Sequence, residues 1–379
     1  MGSPQNNQIL IVAGEPSGDE RAAELVSAIK AKIPDLHFFG MGGDSLRNAG
    51  VEIIVDIKET AIIGILEALK SVKKFLKIKK KLIRCWQERR PVAALLVDFG
   101  GFNLRLAKDI KNLGGTVAYY ISPQIWASRP GRIKFVKNYV DMMMVLFDFE
   151  KTFYRNSGIN AVHVGHPLID KMGIKADKKR LLHKLGFSPS EKVIGIMPGS
   201  RKSEIERMLP VLNDVTDRLV HQGYSQFMVI AAPNVVRQVT EGISNPNTKI
   251  VTDDKYSHMA ACDFMLITSG TAALEVGYLK IPSIVVYKTS WLTAFLAKYL
   301  IKVEHISLPN ILLKREVFPE LLQEACNPDS IVNESLAIIE DAERYDTIRD
   351  HLSALPQHLG ESGAVARAAD CFIDFLGLQ

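Results

Sequence analysis

Asp98 ends the apolar run Val92–Val97 and is followed by Phe99, Gly100, Gly101, Phe102 and Asn103. A carboxylate at the end of a buried strand, beside glycines that let a substrate come close, suits a general base. The alternative is a plain surface charge. A second group has the chemistry of an anion site. Between the apolar runs Phe264–Ile267 and Ser283–Val286 lie Thr268, Ser269, Gly270 and Thr271, then the helix formers Ala272, Ala273 and Leu274. Gly270 allows close approach, and the hydroxyls of Ser269 and Thr271 with the open amides of a helix start suit a phosphate. Glu275, one turn further on, can accept hydrogen bonds from sugar hydroxyls such as those of a ribose. The same residues also fit a capped crossover with no ligand. Gly199, Ser200 and Arg201, after the run Val193–Met197, form a second anion candidate, because a guanidinium grips phosphate with two parallel bonds.

Other residues have weaker chemical signals. Gly14-Glu15-Pro16-Ser17-Gly18-Asp19 follows the run Ile9–Ala13 but is not GxGxxG, which disfavours a dinucleotide. Asp19 reads as the N-cap of the helix that follows, whereas Glu15 has no such structural role. Asn103 reads as the cap of a helix over Leu104–Leu113. In Ser122-Pro123-Gln124-Ile125-Trp126, with Arg129 and Arg132 beyond, an aromatic ring and two guanidiniums can hold a sugar and a phosphate, or simply form a Pro-rich connection. His166 reads as structural. Asn310, after Pro309, fits a ligand contact or a turn equally.

These groups need elements to hold them. Short apolar runs at Ile9–Ala13, His37–Phe39, Glu52–Val55, Val92–Val97, Thr116–Ile121, Met142–Val145 and Ala161–Val164 alternate with helix-length patterns. That is the pattern of parallel strands covered on both faces. After a charged stretch, Asp170–Arg180, the alternation restarts at Val193–Met197 and continues through Phe227–Ala231, Ile250–Val251 and the two runs already described. A helix is expected at Trp291–Leu300, and Pro319 to Phe375 reads as helical, its last helix apolar on one face. The fold expected is α/β, with two doubly wound Rossmann-like domains and a helical C-terminal segment. The expected divisions are 1–170, 171–345 and 346–379, the last docking on the first domain or on a second chain.

At 379 residues and 47% hydrophobic content, two cores are the default. The cysteines Cys85, Cys262, Cys326 and Cys371 form no CxxC pair, pointing to a reducing compartment without a disulfide framework or zinc site. No apolar run approaches the length of a membrane span, so a soluble cytosolic protein is expected. The net charge of +5 is uneven. Residues 62–84 hold seven lysines and an arginine against one glutamate, +7 in all, leaving the remainder at −2. Within that segment Ile62, Ile65, Leu66, Leu69, Val72, Phe75 and Leu76 fall at helical spacing between Lys70, Lys73, Lys74, Lys77, Lys79, Lys80 and Lys81. A basic amphipathic helix of this kind fits an anionic membrane surface. It fits nucleic acid poorly, for stacking aromatics are missing. The bland alternative is a core-facing helix with a solvated basic face.

Taken in order, Gly14–Asp19, Asp98 with Phe102-Asn103, Ser122–Ala127, Gly165-His166-Pro167, Pro198–Arg201, Ser269–Glu275 and Ser307-Leu308-Pro309-Asn310 resemble the lipid-A-disaccharide synthase family over almost the whole chain. One departure is Gly101, where that family often has a second Asp. The resemblance implies a GT-B glycosyltransferase, its domains facing a cleft, that joins UDP-2,3-diacylglucosamine to 2,3-diacylglucosamine 1-phosphate with inversion. The products would be the β(1→6) disaccharide 1-phosphate and UDP. Asp98 would be the base, and Ser200, Arg201, Ser269, Gly270, Thr271, Glu275 and Asn310 in the second domain would hold the UDP donor. Glu15, Ser17, Gly18, Asp19, Trp126 and Arg129 would line the acceptor side. No cofactor or metal is implied. Ile65, Leu69, Lys70, Val72, Lys73, Lys74, Phe75, Leu76 and Lys77 would meet the inner face of the inner membrane, and a homodimer is a further possibility. Two competing readings are a UDP-sugar 2-epimerase, which has soluble substrates and no use for the basic helix, and a non-catalytic peripheral membrane protein.

Overall fold

In the computed structural model, which describes residues 7–60, 68–128, 130–172, 177–268, 270–289 and 304–378, two all-parallel sheets carry the chain. The first unit comprises Met1–Asp170 with Leu359–Gln379, and the second Lys171–His358. The expected division at 345/346 falls inside the helix Ala342–Leu352. That helix stays with the second unit because Ile348 and Leu352 are buried in its core.

The first sheet runs β3-β2-β1-β4-β5-β6-β7, from β1 (Gln8–Ala13), β2 (His37–Gly42), β3 (Glu52–Asp56), β4 (Ala93–Val97), β5 (Val117–Tyr120), β6 (Met142–Val145) and β7 (Ala161–His163). Ile9 to Ala13 and Ala93 to Val97 are fully buried, as near-continuous apolar runs require when helices cover both faces. Among those helices are α1 (Pro16–Lys32), α2 (Asp44–Asn48), α3 (Ala68–Arg89) and α4 (Gly100–Asn112). The second sheet runs β10-β9-β8-β11-β12-β13, from β8 (Val193–Met197), β9 (Gln226–Ile230), β10 (Thr248–Val251), β11 (Phe264–Ile267), β12 (Ser283–Tyr287) and β13 (Glu320–Leu322). β13 corrects the helical reading of Pro319–Phe375, since three residues pairing with Val285–Tyr287 at a sheet edge leave almost no periodic signal. The last helix, Ala364–Leu376, buries Ala364, Ala368, Ala369 and Phe372 and docks on α1 of the same chain.

Strand order reverses once in each sheet, between β1 and β4 and between β8 and β11. Such switch points open a crevice at the carboxyl ends of the strands.

The basic helix answers part of the membrane expectation. Ile78, Leu82 and Trp86, at i, i+4 and i+8, are buried in the first core. Phe75 also turns inward, its ring 5.9 Å from that of Phe99 and 5.8 Å from that of Phe102, so it is shared with the core and not held out for lipid. Lys79 pairs with Asp109 and Lys81 donates to the Ile54 carbonyl. Lys73, Lys74, Lys77 and Lys80 stay exposed beside Leu76, which is 48% exposed. Ile62, Ile65 and Leu66 lie outside the described residues, as do the side chains of Leu69, Lys70 and Val72 and the helix expected at Trp291–Leu300. No helix among the described residues is long and apolar enough to cross a membrane. All four cysteines are free thiols.

Candidate functional site

At the first switch point Ala13 pairs with Val97, which sets the turn after β1 beside Asp98. A Cβ at Gly18 would lie 4.0 Å from that of Asp98. Gly14 is where the two turns touch. A Cβ there would sit 2.2 to 2.5 Å from atoms of the Phe99 ring, so no larger residue fits. Asp98 and Phe99 both adopt the left-handed conformation, at φ 47° and 51°. For two successive residues with side chains this is strained backbone, of order 1–3 kcal/mol each, and such strain concentrates at functional sites. Asp98 is half-buried. Its amide donates to the Tyr120 carbonyl, and its carbonyl accepts from Asn103 Nδ2 and the Tyr119 hydroxyl. Burial pushes the Tyr119 phenol well above its usual range, so it remains a donor.

Two capping expectations change. Asp19 does not cap its own helix, where Glu15 holds the N-cap position. Its buried carboxylate instead accepts from the amides of Gly43, Ser45 and Leu46, at 2.6, 2.9 and 3.3 Å, and so caps α2. With both oxygens held by those amides, Asp19 ties two helices together. Asn103 is also no cap, because α4 begins three residues earlier, at Gly100. Its Nδ2 points at the carbonyls of Val12, Val97 and Asp98, stitching β1 to the end of β4, while its Oδ1 is buried without a partner. Ser17 is exposed and Glu15 half-buried at the mouth of the turn. Gly101 is exposed, with open space around any added Cβ.

Trp126 lies one strand over, where Glu150 accepts from its indole at 3.2 Å and from the Ser122 hydroxyl at 2.7 Å. Burial raises the carboxyl of Glu150 above its usual range, and those two donors work against the rise. The sequence reading missed Glu150, whose only signal is its place three residues after Phe147 at a helix start. Arg129 lies outside the described residues. His166 is buried, its Nδ1 accepting from the Leu168 amide, and desolvation holds the imidazole down at about 3.

At the second switch point Met197 pairs with Ile267, so Pro198–Arg201 and Thr268–Glu275 emerge side by side. Ser269 lies outside the described residues. Gly270, at φ 147°, starts the helix Thr271–Tyr278 without a side-chain cap, and Gly270 and Thr271 are both exposed. This leaves the helix start ready for an anion. The Gly199–Arg201 turn differs from expectation. Glu204 Oε2 already accepts from the amides of Ser200 and Arg201, at 3.0 and 3.2 Å, and Oε1 meets the Arg201 guanidinium at 3.1 Å. The turn's amides therefore serve an internal carboxylate, and what remains for a ligand is the Arg201 side chain, 64% exposed. A Glu at the third helical position was the signal available for this.

Glu275 is buried and not empty-handed. Lys255 Nζ donates to both its oxygens, at 2.7 and 2.8 Å, and the Tyr256 hydroxyl donates to Oε1 at 3.1 Å. Nothing in the spacing of the sequence linked these residues. Asn310 is buried and engaged within its own unit. Its Nδ2 donates to the Phe318 carbonyl and Glu320 Oε1, and its Oδ1 accepts from the amides of Val317 and Phe318, all within 2.7 to 2.9 Å. A carboxamide with two donors and two acceptors so engaged has no strong bond left for a ligand. Among the described residues no cluster of three or more His, Cys, Asp or Glu side chains is placed to hold a metal ion.

Residues 9–371 match the family model described as lipid-A-disaccharide synthetase. A lipid-A-disaccharide synthase of Myxococcus xanthus is 40% identical over 374 residues, 97% of each chain, and one of Nitrosococcus oceani is 36% identical over 373 residues, 97% of this chain and 96% of that one. Among solved structures, the UDP-GlcNAc 2-epimerase of Neisseria meningitidis superposes with a TM-score of 0.62 at 13% identity, covering 98% of this chain and 100% of that one. MurG of Acinetobacter baumannii gives 0.56 at 13% identity, covering 98% and 99%. At these identities the likeness is one of fold, the two-sheet GT-B architecture.

Proposed function

Since this chain belongs to the lipid-A-disaccharide synthase family, a family of glycosyltransferases forming the lipid A disaccharide, we propose how its residues divide that reaction. The donor is UDP-2,3-diacylglucosamine and the acceptor 2,3-diacylglucosamine 1-phosphate. Asp98 takes the proton of the acceptor 6-hydroxyl as its oxygen bonds to the donor anomeric carbon. The bond from that carbon to the UDP diphosphate breaks, with inversion. Arg201 and the helix start at Gly270-Thr271 take up the charge of the departing diphosphate, and Glu275 accepts from the ribose. What carries this reading is register: in each unit the two motifs expected to do chemistry leave adjacent strands at a switch point. The epimerase reading shares this fold, but the relatives by sequence are the synthases.

The acyl chains of both substrates call for a membrane surface, and the exposed row of Lys73, Lys74, Lys77 and Lys80 with Leu76 supports peripheral contact with anionic lipid on the cytoplasmic side. The last helix already docks on α1 within one chain, so a homodimer would not need it exchanged. Incubating the purified protein with both lipids and reading the product by mass spectrometry tests the proposal. A disaccharide 1-phosphate with stoichiometric UDP is expected. Release of UDP with free diacylglucosamine, or a 2-epimerised sugar nucleotide, would overturn it.

A further inference from the structure

We propose that Lys255 is a positioning and specificity residue for the nucleotide, limiting Glu275 to one ribose hydroxyl. This rests on the nucleotide site proposed above. An ionised carboxylate offers about four lone-pair positions. The three donor bonds at 2.7, 2.8 and 3.1 Å from Lys255 and Tyr256 take three of them. One acceptor position remains, whereas a cis-diol needs two.

The geometry makes Lys255 more than a neutralising charge. The Glu275 side chain is 6% exposed and that of Lys255 39%, so the pair joins a buried carboxylate to a partly exposed ammonium. Lys255 opens the helix Lys255–Ala261, directly after Asp254, whose backbone is left-handed at φ 40°. His258 Nδ1 braces the same turn against the carbonyls of Asp253 and Asp254, at 2.9 and 3.0 Å. The ammonium also lies 4.8 Å from the centroid of the Tyr256 ring. A braced turn, an aromatic face and a bidentate contact together hold the ammonium in one place, and with it the plane of the carboxylate. Thr271 stands one turn before Glu275 on the same helix face, so a nucleotide whose diphosphate meets the helix start brings its ribose toward this carboxylate.

The test is titration calorimetry of wild type, K255M and K255M/E275Q with UDP, 2′-deoxy-UDP and 3′-deoxy-UDP. For the wild type, removal of one hydroxyl is expected to weaken binding roughly tenfold or more, the effect of a hydrogen bond to a charged group, and removal of the other less than about threefold. For K255M this contrast between the deoxy analogues should vanish. The double variant K255M/E275Q should bind UDP more weakly than K255M alone, because without the lysine the carboxylate is free to accept from both hydroxyls. If K255M lowers the melting temperature but retains the wild-type contrast, the ion pair only ties two helices and the inference fails. Equal sensitivity of the wild type to both analogues also overturns it. Failure of wild type to bind UDP at all would instead remove the nucleotide site on which it rests.

Discussion

At the first switch point the chain holds Asp98 and Phe99 in the left-handed region one after the other, with Gly14 pressed against the Phe99 ring and Asn103 Oδ1 buried without a partner. At the second, the groups with chemistry are met by internal partners, Glu204 on the Gly199–Arg201 turn and Lys255 with Tyr256 on Glu275. One topology has thus been fitted out in two ways. Backbone strain around one half-buried carboxylate suits a group whose position must not drift during proton transfer. Internal polar partners around an exposed guanidinium and a buried carboxylate suit a site that exchanges one set of polar partners for another as ligand arrives and leaves.

The widest test of this contrast sets Asp98→Asn against Arg201→Ala. The first should lower turnover at least about 100-fold and leave UDP affinity unchanged, since a base acts in the transition state. The second should weaken UDP roughly tenfold, through loss of a charge-assisted bond. Steady-state kinetics with calorimetry separates them, and loss of UDP affinity in the Asn variant would erase the division of labour. Next in size is Asn310→Ala, which abandons three buried bonds and one part-buried bond and should cost about 3 kcal/mol or more in denaturant titrations. Its folded fraction should bind UDP like wild type. Weakened binding at a temperature where it is fully folded would return Asn310 to the ligand site.

His166 gives the first unit a pH dependence. Its imidazole is held at about 3 in the folded chain, by burial first and by Arg21 second, against about 6.5 when unfolded. A base whose folded value is depressed leaves stability intact above the unfolded value, and the loss grows as pH falls below it. Between pH 7 and pH 5 this one group should cost roughly 2 kcal/mol. His166→Asn should flatten that part of the profile, while Glu150, raised by burial, acts in the opposite sense, its contribution present at low pH and lost as pH rises. Smallest is Gly101→Asp. The position is open and at a helix start, so melting should shift upward by no more than about 0.5 kcal/mol equivalent.

The strands were legible because fully covered parallel strands are continuous apolar runs, and the switch-point motifs because strand, small-residue turn and helix succeed one another locally. Roles that depend on partners distant in sequence were not. Asp19 reads as a local cap, yet its acceptors serve Gly43 to Leu46. Phe75 has helical spacing suited to a lipid face, but only the folded chain brings Phe99 and Phe102 to it. Lys255 and Glu275 stand on different helices, and no period connects them.

The return of the last helix to α1 has a consequence for synthesis. The second unit is one continuous segment and can fold as soon as it has left the ribosome, whereas the first unit lacks its closing helix until roughly two hundred further residues have been made. At about 5–20 residues per second, that is a delay of roughly 10–40 s. During this interval the face of α1 that the last helix later covers stands open to water. The first unit therefore keeps an apolar face uncovered for longer than the second unit does.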